Sequence, residues 1–253
     1  MVKKVFVFFF FFFLNVSFVQ AKIEPSCSKN INPDLSKKIE NNIPELIEVK
    51  IDKYLKWQKN NLKIVTEKKR MIPPEFKKKF NATLNVKFDN ELSCAFRAKV
   101  RQNGDNYDHI EFVDGNFFQS LDVELKNGHI NGIVNFKLLI PKTRYNPQDE
   151  IILTELLRDF GFLAPRTNFV KVNLNNRIST MLFQEKAEKE LLEYNRRREG
   201  PIFEGDERYL VKLNLENRLT SQAEYFLLAK QTNSNWAIKD TQYQNISYQA
   251  LTK

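Results

Sequence analysis

The sequence predicts an α+β fold, an antiparallel sheet with one packed helix leading into a helical region that stops early. Three observations predict it. Apolar and polar residues alternate in short runs between Leu84 and Ile140, a well-bounded helix pattern occupies residues 146–161, and a hairpin signal at Asn175-Asn176 precedes further helical patterns. The 253 residues are 42% hydrophobic and 28% charged, enough for one large or two small domains with a buried core. That composition excludes a disordered tail, a collagen-like repeat and a multi-span membrane protein. Two histidines (His109, His129) and two cysteines (Cys27, Cys94) are too few to build a structural zinc domain.

The chain opens with a basic start, Met1 to Lys4, then an almost wholly apolar stretch from Val5 to Phe18 and small residues around Val19-Gln20-Ala21. This is the pattern of a secretory signal peptide over residues 1–21, cleaved before Lys22. An uncleaved anchor is the alternative, although the apolar run is short of the roughly 20 residues that span a bilayer. The expected location is therefore outside the cytoplasm: periplasmic, cell-surface or extracellular. That setting tolerates disulfides, so Cys27 and Cys94 either pair with each other or remain two free thiols.

Residues 22–47, with Pro25, Pro33 and Pro44, read as a loosely ordered arm. From Glu48 to Lys79 eleven basic residues stand against four acidic ones, an excess of +7 that equals the whole net charge of the chain after residue 21. Ile47, Ile51, Tyr54, Leu55, Gln58 and Leu62 fall at helical spacing, which predicts one or two amphipathic helices with a lysine face. Pro73-Pro74 ends the run. A cationic face attracts anionic lipid, an acidic envelope polymer or nucleic acid, and outside the cytoplasm nucleic acid is not expected. A merely solvated helix face is the plainer alternative.

Strands follow at Leu84–Phe88 and Leu92–Val100 about an Asp89-Asn90 turn, then at Ser120–Lys126 and Ile133–Ile140. The helix at 146–161 has Asn146 as a potential cap, Pro147 at its first position, and Asp149 and Glu150 at the positive end of its dipole. Ile152, Leu153, Leu156, Leu157 and Phe160 form its apolar stripe, and Gly161 closes it. Asn168–Leu174 and Ile178–Phe183 flank the Asn175-Asn176 turn. Helical patterns are expected at Ala187–Arg198, at Ala223–Lys230 and from Asn245 onward. The chain therefore divides into the leader 1–21, a basic arm and helices over 22–80, a sheet-and-helix unit over 81–186 and an incomplete unit over 187–253.

No Walker loop, Gly-x-Gly-x-x-Gly, Gly-x-Ser-x-Gly or His-Glu-x-x-His motif occurs. However, Leu156-Leu-Arg-Asp-Phe-Gly-Phe-Leu-Ala-Pro-Arg-Thr167, Met181-Leu-Phe-Gln-Glu-Lys186 and Arg198-Glu-Gly-Pro-Ile-Phe-Glu-Gly-Asp206 follow one another in order. Together with the strands at 120–125 and 136–140, they resemble the spore-coat CotH kinase family over roughly residues 92–210. The resemblance implies an atypical protein-kinase fold, with 81–186 as its N-lobe and 187–253 as the start of a C-lobe, and an ATP-dependent transfer of phosphate to a protein substrate. ATP and Mg2+ are the cofactors it implies.

On that resemblance Lys137 reaches ATP phosphates, Glu155 steadies it (with Glu150 competing), and the Gln184-Glu185-Lys186 backbone meets adenine. A solvent-facing Lys137, a surface Glu155 and a plain strand-to-helix junction at 184–186 are the structural alternatives. Arg166 is expected to hold the loop after the helix, with a phosphate contact as the alternative. No catalytic residue is identified: Asp240 and Asn245 have a catalytic-loop spacing, but so do Asp122 and Asn127, and chance explains one such pair. No metal ligand is assigned, because after Glu207 only Glu216, Glu224 and Asp240 are acidic. The metal-binding half of the family fold is thus expected to be missing, as in a truncated frame, leaving an inactive relative. The alternative from a different class is a non-enzymatic envelope module that grips an anionic polymer or lipid surface through residues 48–79. Scarce extracellular ATP favours it.

Overall fold

In the computed structural model, residues 26–27, 44–67, 71–88, 92–113, 115–205 and 229–252 are described. The expected signal peptide, most of the arm, the Asp89-Asn90 turn and residues 223–228 of the helix expected over Ala223–Lys230 lie outside the described residues. In chain order the elements are β1 (Ser26–Cys27), β2 (Pro44–Ile51), α1 (Tyr54–Glu67), β3 (Phe80–Phe88), β4 (Ser93–Gln102), β5 (Ile110–Val113) and β6 (Asn116–Gln119). There follow β7 (Leu121–Leu125), β8 (Asn135–Leu139), α2 (Pro147–Asp159), β9 (Thr167–Leu174), β10 (Arg177–Glu185) and α3 (Lys189–Tyr194). The chain closes with β11 (Phe203–Gly205), β12 (Ala229–Gln231), α4 (Ser234–Ile238) and α5 (Thr241–Thr252).

Seven strands close on themselves in the order β4-β3-β2-β9-β10-β8-β7, with β7 pairing back to β4. All pairings in the ring are antiparallel except β2 with β9, which is parallel. Closure leaves no free sheet edge in the ring. The strand alternation explains what fills it: Ile47 and Val49 from β2, Leu84 and Val86 from β3, and Phe96, Ala98 and Val100 from β4 are buried in one core. Leu121 and Val123, Phe136 and Leu138, Val172 and Leu174, and Met181 and Phe183 complete it from the remaining strands. Phe136 stacks on Phe183 with centroids 4.6 Å apart.

This architecture overturns the expected kinase-like fold, an open antiparallel sheet covered by a packed helix and followed by a helical lobe. The physical reason lies in closure. A barrel buries the apolar face of its sheet against itself, so it needs no helix to cover that face. Accordingly α2 buries only Thr154, while Ile152, Leu153, Leu156 and Phe160, the stripe expected to face the core, are exposed. Asn146 makes no side-chain cap bond to the backbone of α2; its amide donates to Asp149 Oδ1 at 2.8 Å.

The lysine-rich segment is corrected as well. Residues 44–51, expected as arm and helix, form barrel strand β2, and only 54–67 is helical. Ile47 and Ile51 satisfy helical spacing, but with Val49 they also alternate against Glu48 and Lys50; β3 pairs with this strand as far as Ile51, and β9 pairs from the other side over Leu46–Val49. Likewise Ala229–Gln231 is a strand paired with β11 rather than helix. The expected hairpin is present: Asn175 and Asn176, at φ 55° and 66°, join β9 to β10. Cys94 is disulfide-bonded and the only other cysteine in the chain is Cys27, whose backbone is in register with it across β1 and β4.

Candidate functional site

The residues expected to hold a nucleotide are only partly brought together. Lys137 lies in β8 directly opposite Asp122 of β7 and Gln184 of β10. Its neighbours in sequence, Phe136 and Leu138, point into the barrel core, so Lys137 projects from the outer face. It is not in open water. Burial pushes its ammonium below the usual lysine range, Glu204 and Asp122 pull it back up, and Lys186 and Arg144 push it down.

Asp122 accepts from Arg101 Nε at 2.8 Å and lies 3.4 Å from Lys186 Nζ. Burial alone raises the Asp122 carboxyl, but Lys186 and Arg101 outweigh it and hold it below the ordinary aspartate value. Lys186 also lies 3.7 Å from Glu188. Gln184 donates its amide to Glu150, and Arg144 Nε sits 2.6 Å from the other oxygen of that carboxylate.

Glu155 does not join this group: it is largely exposed and pairs with Arg158 one turn along α2. Glu185 is fully buried and bound to Arg166, which donates Nε to Oε2 at 2.9 Å and Nη2 to Oε1 at 2.7 Å. Arg166 also donates to the Asn131 carbonyl at 2.6 Å and lies 4.0 Å over the Tyr194 ring. These contacts clamp the loop after α2 to the end of β10, a structural task in keeping with the role expected of Arg166. Asp240 caps α5, accepting from the Gln242 amide at 2.7 Å. Among the described residues no group of three or more His, Cys, Asp or Glu gathers as metal ligands. Of the residues expected to hold a nucleotide, Lys137 and Gln184 thus lie opposite one another, Glu155 stands apart, and the Glu185 and Lys186 backbone amides donate within the protein, to the Arg166 carbonyl at 2.9 Å and the Asn135 carbonyl at 3.0 Å.

A different site is built by the basic segment. Lys53, Lys56, Lys59 and Lys63 on and just before α1 face Lys78 and Lys79, which lead from a 3-10 turn at Pro74–Phe76 into β3. Between them is a cleft of about 480 Å3, with Asn60, Phe76, Phe80 and Asn81 also on its walls and Asp52 as its one carboxylate. The helix is fixed by its inner face. Trp57 meets the Phe80 ring edge-on at 5.0 Å, Asn61 exchanges two amide hydrogen bonds with Gln119 of β6 at 2.8 and 3.0 Å, and Asn60 donates to the Phe76 carbonyl at 2.7 Å. Two of the four buried positions of α1, Asn60 and Asn61, are polar, and hydrophobic periodicity does not single them out.

Of the six cleft lysines only Lys79 makes an ion pair among the described residues, to Glu124 at 2.9 Å. Burial raises the Glu124 carboxyl, yet its hydrogen bonds from Lys126 and Lys79 bring it down to about 2. Lys77, next to the cleft, is tied to Asp105. The excess of basic residues between 48 and 79 pointed to this site, but the second wall and the apolar floor depend on a contact between α1 and β3 that no local pattern reveals. No family model and no curated protein matches this chain, so the CotH resemblance gains no support from either comparison.

Proposed function

We propose that the chain is an exported, non-enzymatic binding module whose lysine cleft takes an anionic ligand with repeated phosphate or carboxylate groups. The observation that carries this reading is the concentration of six lysines around one concavity with one carboxylate, five of them without an ion pair among the described residues. Unpaired like charges held this close repel one another, and an anionic ligand relieves that repulsion while releasing counterions. Lys56 and Lys63 lie two turns apart on one helix face, about 10 Å along the axis, so a linear polyanion can meet several lysines at once. The packed inner face of α1 fixes the helix from which these lysines project. Export is supported by the leader-like sequence of residues 1–21 and by the disulfide at Cys94, which belongs to an oxidising compartment.

The test uses sodium polyphosphate as the probe. Titrated into the full chain at low ionic strength, it is expected to bind, and binding should weaken steeply as salt is raised through the range where the Debye length falls below about 10 Å. Replacing Lys56, Lys59 and Lys63 together with Gln should lower the affinity about tenfold or more, since each exposed charge contact contributes up to about 1 kcal/mol. Undiminished binding by the triple variant would overturn the assignment.

A further inference from the structure

The solvent-facing half of α1 is divided lengthwise. At about 100° per residue, Val65, Gln58, Leu62 and Leu55 occupy one strip about 80° wide, while Lys59, Lys63 and Lys56 occupy the adjoining strip about 60° wide. The lysine strip lines the cleft already described. The other strip faces the β5–β6 hairpin, where Phe112 and Phe117 complete an apolar groove of about 340 Å3, and Lys59 borders both. Leu55, Leu62 and Phe112 are not tucked away: they are 77%, 53% and 60% exposed. Sequence periodicity reads Leu55, Gln58 and Leu62 as the core-facing stripe, but the core takes Trp57, Asn60, Asn61 and Ile64 instead. The helix thus presents large apolar side chains to water beside a row of lysines that make no ion pair among the described residues.

A hydrophilic polymer would leave that apolar strip idle. An anionic bilayer surface uses both strips, because hydrocarbon side chains enter the acyl boundary while lysines reach the headgroup phosphates just above it. We infer that α1 and the β5–β6 hairpin form a peripheral docking surface for anionic lipid, with Leu55, Leu62 and Phe112 inserting and Lys56, Lys59 and Lys63 binding headgroups. This rests on the anion-binding reading of the cleft and assigns its partner. The charge of the flanking lysines selects the occupant: a zwitterionic surface offers them no net countercharge. Among the described residues no helix is long and apolar enough to cross a membrane.

The experiment places an environment-sensitive nitrobenzoxadiazole label at Thr66→Cys, an exposed position between the two strips, in the full chain. Vesicles of phosphatidylcholine alone are compared with vesicles containing one third phosphatidylglycerol. A blue-shifted, intensified emission with the anionic vesicles, and little change with phosphatidylcholine alone, supports insertion at this face. On the same label, Leu55→Asn with Phe112→Asn should weaken vesicle binding about tenfold or more by removing buried hydrocarbon. Polyphosphate binding by that variant should be unchanged, which also shows that it is folded. Equal response to both vesicle types, or vesicle binding indifferent to the Leu55 and Phe112 replacements, overturns the inference. If the unaltered chain binds polyphosphate but the label does not respond to anionic vesicles, the lipid assignment falls and the anion-binding reading stands. If it binds neither, both fall.

Discussion

Two buried ionic contacts show how individual residues here serve the fold rather than chemistry. Glu185 is enclosed at the end of β10, and the Arg166 guanidinium meets both of its oxygens. Removing one partner of such a pair leaves a buried, uncompensated charge, so Glu185→Ala should cost about 3–5 kcal/mol in denaturant unfolding. A loss under 1 kcal/mol would show that water reaches the pair. Asp122 is the second case. Its carboxyl is held below its ordinary value of 3.8, so its stabilising contribution is complete above that pH and disappears as pH falls through the lower folded-state value. Thermal unfolding followed from about pH 5 to about pH 2 should therefore decline more steeply for the native chain than for Asp122→Asn. Parallel profiles would remove Asp122 from the acid response.

At the scale of elements, α1 illustrates why part of the site was legible in the sequence and part was not. Its charge was plain, since Lys53, Lys56, Lys59 and Lys63 recur at helical intervals. Its orientation was not. The anchoring face contains Asn60 and Asn61, polar residues that become core residues only because Gln119 and the Phe76 carbonyl satisfy them. Asn61→Leu strips Gln119 of both its hydrogen bonds to the Asn61 amide in a buried place and should cost about 1–3 kcal/mol, measured by denaturant unfolding. An unchanged midpoint would mean that packing alone fixes the helix. The same limitation hid the true face of α2: periodicity located the helix, but only the closed sheet beneath it explains why Ile152 and Leu156 are left exposed. The Asn175-Asn176 hairpin was legible because its turn chemistry is local.

For the whole molecule, the strands of β3, β4, β7, β8, β9 and β10 could be read from alternation, whereas closure could not. It depends on β4 meeting β7 and on β2 lying parallel to β9, pairings between segments distant in sequence. Cys94 of β4 is disulfide-bonded, and the one other cysteine in the sequence, Cys27, lies far upstream. Reduction under native conditions should lower stability by about 2–4 kcal/mol, read as a fall in Tm against the oxidised chain. Coincident melts would show that the bridge adds nothing to the barrel.

What the barrel presents to its surroundings is the lysine cleft, and its role can be separated from that of net charge alone. Two triple variants of the full chain, each three positive charges poorer, would be titrated with polyphosphate at low ionic strength: Lys56, Lys59 and Lys63 to Gln in one, Lys171, Lys189 and Lys239 to Gln in the other. A loss of about tenfold or more confined to the first variant is the predicted result, because only those lysines share a concavity. Equal losses in both would contradict the account and reduce the cleft to one part of a diffusely basic surface.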